Sequence, residues 1–209
     1  MRIIVTRPRE QAAALVERLE ELGHDVAVCP LIAVEPIGPE EIDVSGYDWV
    51  VVTSANGARE LGRRMRGRPA RTAAIGSATA AALPFDPDLV SKVSTQEGLL
   101  AEFPRPAGRV LFAGAESARR LLVDELGADF VPLYRTEELH PNAFPDGDLV
   151  VLASASAARA YAALGHAVPV VSIGPETTDA AERAGLRVAA EARSHDLDGL
   201  VDAVREATS

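Results

Sequence analysis

Three features of this 209-residue chain predict an α/β fold made of two flavodoxin-like parallel-sheet domains. The first is a set of short, near-continuously apolar runs, RIIV, DWVVV, DLVVL and VVSI, the pattern of strands covered on both faces. The second is the amphipathic helical pattern that follows such runs, and the third is that the whole alternation occurs twice.

In chain order, RIIV from Arg2 reads as a strand. The turn TRPRE then opens a helix in which Ala12, Leu15, Val16, Leu19 and Leu22 recur at helical spacing, leaving Glu17, Arg18, Glu20 and Glu21 for solvent. DVAV follows as a strand, and CPLIAVEPIGPEEI from Cys29 is a proline-rich connecting segment without helical period. DWVVV from Asp48 is a buried strand ending in the turn TSANG. TAAIGSATAAAL from Thr72 is a strand, a glycine turn and a short helix, and STQEGLLAEF from Ser94 is helical. The same blocks return in the same order: RVLFAGAESARRLLVDELGADF from Arg109, DLVVLASASAARAY from Asp148, VVSIGPETTDAA from Val170 and SHDLDGLVDAV from Ser194. A second connecting segment, VPLYRTEELHPNAFPDGD from Val131, occupies the place matching the first. If both segments cross between domains, each domain takes half of either repeat. The residues alone leave that exchange and two consecutive domains both open.

Composition narrows the function. The net charge is −10 with Lys92 the only lysine, so a phosphate-neutralising surface for nucleic acid or an anionic membrane would fight the field of the whole molecule. Aromatic content of 4% leaves little for base stacking. No apolar run reaches the roughly 18 to 20 residues of a membrane span, and MRIIVTRPRE lacks a signal-peptide plan, which reads as a cytoplasmic protein. The single cysteine, Cys29, sits in an apolar stretch and reads as a small core residue.

In a parallel sheet, ligands gather at the carboxyl ends of the strands, where this sequence concentrates small polar residues. They are Thr6, Arg7 and Arg9; Thr53, Ser54, Asn56 and Gly57; Gly76, Ser77 and Thr79; Ser154 and Ser156; and Gly174, Pro175 and Thr177. Short hydroxyls there cap helix amino ends, and the free N–H groups beside them suit carboxylate or phosphate. A ring of such turns fits a ligand with several dispersed negative charges, to which Arg7, Arg9, Arg59, Arg119, Arg135 and Arg159 could add fork-shaped donors. Dinucleotide, P-loop, hydrolase-elbow and zincin motifs are missing, and His24, His140, His166 and His195 are isolated, so no metal site is expected. Tyr134 is the one aromatic hydroxyl on a connecting segment, protonated at neutral pH and able to donate.

VTRPREQ, PLIAVEP, DWVVVTSANGA, IGSATAAAL, EGLL, LYRT and IGPETT, in this order over nearly the whole chain, resemble uroporphyrinogen-III synthase. The resemblance implies one domain of residues 1–34 with 136–209 and a second of 35–135. Linkers lie at about 30–38 and 131–140, with an active-site cleft between the domains. It implies closure of the linear tetrapyrrole hydroxymethylbilane to uroporphyrinogen III with loss of water and inversion of ring D, without metal or organic cofactor. It further implies a monomer with transient contact to the preceding pathway enzyme. By position, Tyr134 matches the linker tyrosine suspected as general acid. Thr79 and Thr177 match the threonines of the two glycine turns, and Ser54, Ser154 and Ser156 match the serines of the paired polar turns. Departures are AGAES after RVLF, where many members have an arginine, Ala153 in the place of Thr53, and Glu176 beside Thr177. Rival readings are a binding or sensor protein closing on a polyanion without chemistry, and a nucleotide-sugar transferase, whose expected acid or histidine at a strand end is not evident.

Overall fold

The computed structural model describes residues 1–209. The first apolar run forms β1 (Arg2–Val5), with Ile3, Ile4 and Val5 fully buried. Then α1 (Arg9–Glu21) buries Ala12, Leu15 and Leu19, with Val16 and Leu22 partly buried against the same cluster. The chain continues through β2 (Asp25–Val28), β3 (Ile32–Pro36) and the two-residue β4 (Ile42–Asp43). β5 (Trp49–Val52), buried along its length, leads into α2 (Ala55–Arg64) and β6 (Met65–Arg66). β7 (Arg71–Ala74), α3 (Ser77–Ala80), β8 (Leu89–Val90) and α4 (Gln96–Glu102) close the first repeat. The second repeat runs β9 (Val110–Ala115), α5 (Leu121–Leu126), β10 (Asp129–Glu138), β11 (Leu149–Leu152) and α6 (Ala155–Ala163). It ends with β12 (Val170–Ser172), α7 (Pro175–Arg183), β13 (Val188–Glu191) and α8 (Leu197–Thr208).

These elements form two units, Met1–Ala33 with Thr136–Ser209, and Val34–Arg135. The sheet of the first runs β13-β12-β11-β1-β2 with parallel neighbours. Renumbered within the unit this is the 2-1-3-4-5 order of a flavodoxin-like sheet. Alternation along the strands serves two cores. Ile3, Val5, Leu149 and Val151 meet α1 and α8 on one face, while Ile4, Val150 and Leu152 meet α6 and α7 on the other. Burial on both faces is why these strands read as unbroken apolar runs.

The sheet of the second unit runs β3-β10-β9-β5-β7-β8. Here β9 holds the place of β1, β10 of β2, β5 of β11 and β7 of β12, so the repeats of sequence become repeats of topology. The chain passes from one unit to the other within β3 and returns within β10, which are neighbours in this sheet. One detail differs from expectation. β4 and β6 form a separate parallel pair, too short to carry a periodic signal. α3 is a single turn where α7 has nine residues, because the chain after Ala80 runs toward Pro84 and Pro87.

Candidate active site

The polar turns follow the carboxyl ends of the strands in each unit. Ser54 and Ser154 are the N-cap residues of α2 and α6, with nearly the same extended backbone. Ser54 Oγ accepts from the Gly57 amide at 3.0 Å and Ser154 Oγ from the Ala157 amide at 3.1 Å. Each capping bond satisfies one orphan donor of its helix. One turn on, the Arg59 guanidinium donates to Asn56 Oδ1 at 2.9 Å and that of Arg159 to Ser156 Oγ at 3.0 Å. Thr53 is half-buried immediately before the first of these caps.

The turn of the second unit carries one group more. Tyr134 Oη lies 2.9 Å from Ser54 Oγ, 80 positions away in sequence. The Tyr134 ring is 6% exposed and packs in a cluster with Ala58 and Leu61 of α2. β10 reaches this position irregularly, its register with β9 shifting between Pro132 and Tyr134. Proline offers no N–H to the ladder, so the slip falls where a bond is missing, and it re-aims the next side chains. Burial pushes the Tyr134 phenol above its ordinary pKa, the Ser54 hydrogen bond opposing that more weakly. The group therefore stays protonated at neutral pH. Either hydroxyl can donate in this contact, since Ser54 Oγ keeps a second lone pair after accepting from Gly57; when Ser54 donates, the phenol hydrogen is left to donate elsewhere.

The glycine turns are also matched. Gly76 and Gly174 are the N-caps of α3 and α7, both in extended backbone open to any residue. What requires glycine is space. A Cβ on Gly76 would fall 2.4 Å from Ser94 Oγ, and one on Gly174 would fall 2.7 Å from Cδ2 of His195. His195, which sequence treats as isolated, thus covers the Gly174 turn as Ser94 covers Gly76. Registering the repeats on Gly98 and Gly199 would have paired the two.

Several expected caps act otherwise. Thr6 is fully buried and donates to the Val151 carbonyl at 2.8 Å, tying β1 to β11, while Pro8 occupies the N-cap of α1. Thr79 and Thr177 are buried in the first turns of α3 and α7, whose caps carry no side-chain bond. Ser77 is exposed at the start of α3, and Arg7 is half-buried after β1. No group of three or more His, Cys, Asp or Glu side chains is placed to hold a metal ion. No helix is long and apolar enough to cross a membrane.

Residues 13–202 match the model of the family described as uroporphyrinogen-III synthase HemD. A putative uroporphyrinogen-III synthase of Archaeoglobus fulgidus is 30% identical, over 98% of this chain and 98% of its own. A porphyrin biosynthesis protein HemD of Ruminiclostridium josui is 29% identical over 98% of this chain but 48% of its own, so this chain spans about half that relative's length. Among solved structures, a mutant uroporphyrinogen III synthase of the extreme thermophile Thermus thermophilus superposes with a TM-score of 0.61. That match has 17% identity and covers 100% of this chain and 98% of the other, a likeness of fold.

Proposed function

From the uroporphyrinogen-III synthase family, to which this chain belongs, we propose that it is a cyclising lyase of porphyrin biosynthesis. It closes hydroxymethylbilane to uroporphyrinogen III with loss of water and inversion of ring D. The observation that carries the mechanism is the 2.9 Å contact between Tyr134 Oη and Ser54 Oγ. Tyr134 gives its proton to the hydroxyl leaving the terminal methylene, and that oxygen departs as water. The electron-poor azafulvene that remains is attacked by the substituted carbon of ring D, forming the spirocyclic intermediate. The bond from that carbon of ring D to its original methylene bridge then breaks, leaving a second azafulvene cation that the free α-carbon of ring D attacks. The inverted ring loses one proton as it regains its aromatic form, which restores the phenol. The protein's contribution is otherwise positioning, because the first cation closes unaided to the uninverted isomer.

Substrate carboxylates lie at the helix amino ends in this reading. The amides of Asn56 and Ser156, next to the Ser54 and Ser154 caps, receive two of them, with Arg59 and Arg159 one turn further on. The turns at Gly76, Ser77 and Thr79 and at Gly174 and Thr177 receive others, backbone amides leading because both threonines are buried. Thr53 flanks the first cap, Arg7 contributes from the turn after β1, and Thr6 shapes that turn through its bond to Val151. The proposal includes two domains, 1–34 with 136–209 and 35–135, with linkers at about 30–38 and 131–140 and the substrate in a cleft between them. It also includes a cytoplasmic monomer that needs no cofactor and meets the preceding pathway enzyme transiently. The matched polar turns of the two units support it.

The test is the isomer ratio formed when purified protein meets freshly generated hydroxymethylbilane, read by chromatography after oxidation to porphyrins. Type III product above the spontaneous background is expected. Only type I at the background rate would refute the proposal and leave a protein that binds a polyanion without turning it over.

A further inference from the structure

We propose that Arg64 is a positioning residue for Tyr134, its guanidinium tying the carboxyl end of α2 to the strand that carries the phenol. This rests on the reading of Tyr134 as the proton donor. α2 meets β10 at both of its ends. At the amino end the Ser54 cap touches Tyr134 Oη, and at the carboxyl end Arg64, the last residue of α2, reaches the carbonyl of Leu133 through Nη2. The ring of Tyr134 lies between these two points against Ala58 and Leu61.

An arginine that only capped its own helix would need only the carbonyls of α2. Arg64 Nε does donate to Glu60 O at 3.3 Å. Its other acceptors lie outside the helix: Nη1 donates to Ile37 O at 2.6 Å and Pro39 O at 3.3 Å, and Nη2 to Leu133 O. The Glu60 carboxylate pairs with the guanidinium at 3.3 Å, the two side chains 12% and 13% exposed, so the charge is held in a sheltered place. The Leu133 carbonyl also accepts from the Ile37 amide at 2.9 Å. One guanidinium therefore joins α2 to the segments through which the chain enters and leaves this unit.

The location matters because β10 is irregular just here. The ladder slips between Pro132 and Tyr134, so regular sheet bonding does not fix the aim of the phenol. The loop carrying the other Arg64 acceptors closes over the same step. Gly38, at φ +83°, approaches so closely that a Cβ would fall 2.4 Å from Pro132 O. Arg64 adds a fixation there, with one charge-assisted bond to the Leu133 carbonyl one residue before Tyr134 and two more to the loop that closes over it.

The experiment compares Arg64→Met and Arg64→Lys, each alone and combined with Tyr134→Phe, by steady-state kinetics on hydroxymethylbilane. It adds NMR of protein carrying ¹³C at the tyrosine ring Cζ, where the Tyr134 signal is the one that disappears in Tyr134→Phe. Arg64→Met should lower kcat by about fivefold or more with KM changed less than about twofold, Arg64→Lys recovering part. In the Tyr134→Phe background it should lower kcat no further, since the group it acts through is gone. The Tyr134 signal should move and titrate at lower pH in Arg64→Met, with the Tyr161 signal unmoved. Equal losses of kcat in both backgrounds, or an unmoved Tyr134 signal in folded Arg64→Met, overturn the proposal. If Arg64→Met does not fold, Arg64→Lys and Glu60→Gln carry the same comparison. The NMR readout needs no turnover, so a chain that makes no type III product would defeat the functional reading and leave the coupling of Arg64 to Tyr134 separately measured.

Discussion

Tyr134 Oη and Ser54 Oγ meet at 2.9 Å although they belong to different repeats of the sequence, the serine to the cap of α2 and the tyrosine to β10. The same serine oxygen accepts from Gly57 at 3.0 Å, so the helix cap and the phenol share one hydroxyl. Under the proposed acid role of Tyr134, a change at that atom affects helix stability and turnover together.

Replacing Tyr134 by Phe keeps the buried ring and removes the hydroxyl, with its proton and its contact to Ser54. Turnover is expected to fall by about 10²-fold with KM nearly unchanged, and the fraction of type I product to rise as spontaneous closure competes. Ser54→Ala should cost about 1 kcal/mol in denaturant unfolding from the lost cap, together with a smaller fall in turnover. Comparable losses of turnover and affinity in Tyr134→Phe would argue against an acid role.

Gly76→Ala sets a methyl group 2.4 Å from Ser94 Oγ without straining the extended backbone. It should destabilise by roughly 1–3 kcal/mol through overpacking. Because the severe contact is with the Ser94 hydroxyl oxygen, its Cβ standing off at 3.2 Å, adding Ser94→Ala should recover most of the loss. Equilibrium unfolding of the single and double variants measures the coupling, and additive effects would show that the glycine is needed for some other reason.

Tyr47, Tyr134 and Tyr161 all have phenols pushed above the ordinary value, burial being the largest cause for each. A raised folded-state pKa means stability that is fully present below the unfolded value, about 10, and is lost as pH climbs beyond it. Absorbance at 295 nm should therefore stay flat past that pH and then rise together with loss of near-UV circular dichroism. A gradual rise in still-folded protein would contradict this.

Glu97 is held down to about 2, chiefly by its hydrogen bonds from Arg119, whose Nη1 and Nη2 reach its two oxygens at 2.7 and 3.0 Å. A depressed carboxylate adds stability above its unfolded pKa, and that stability is lost as pH falls through the folded value. Carboxyl NMR should place the Glu97 midpoint near 2, and Arg119→Met should return it toward the ordinary range. The pair is exposed, so the shift should shrink in high salt.

The duplicated strands were legible because burial on both faces leaves an apolar run, as in DWVVV and DLVVL, and the paired caps because Ser54 and Ser154 precede helical patterns at one offset. The meeting of Ser54 with Tyr134 was not, since no local pattern encodes a contact across 80 positions. Thr6 looked like a cap in TRPRE, yet the strand beside it supplies a carbonyl that takes its hydroxyl inward. Arg64 was indistinguishable from its neighbours Arg63 and Arg66 by composition. Only the fold shows that its acceptors lie on two distant segments.

The interleaved strand order also sets a timetable for synthesis. The unit Val34–Arg135 is one continuous stretch, so all its strands leave the ribosome before β11, the neighbour of β1, emerges. β1 and β2 must wait with an open edge until then, the bond from Thr6 to Val151 closing a separation of 145 positions. Nascent chains arrested when Arg135 has cleared the exit tunnel and β11 is still inside it should accordingly resist protease across the inserted unit while the amino-terminal βαβ is still cut, and uniform sensitivity would show that the two units mature together.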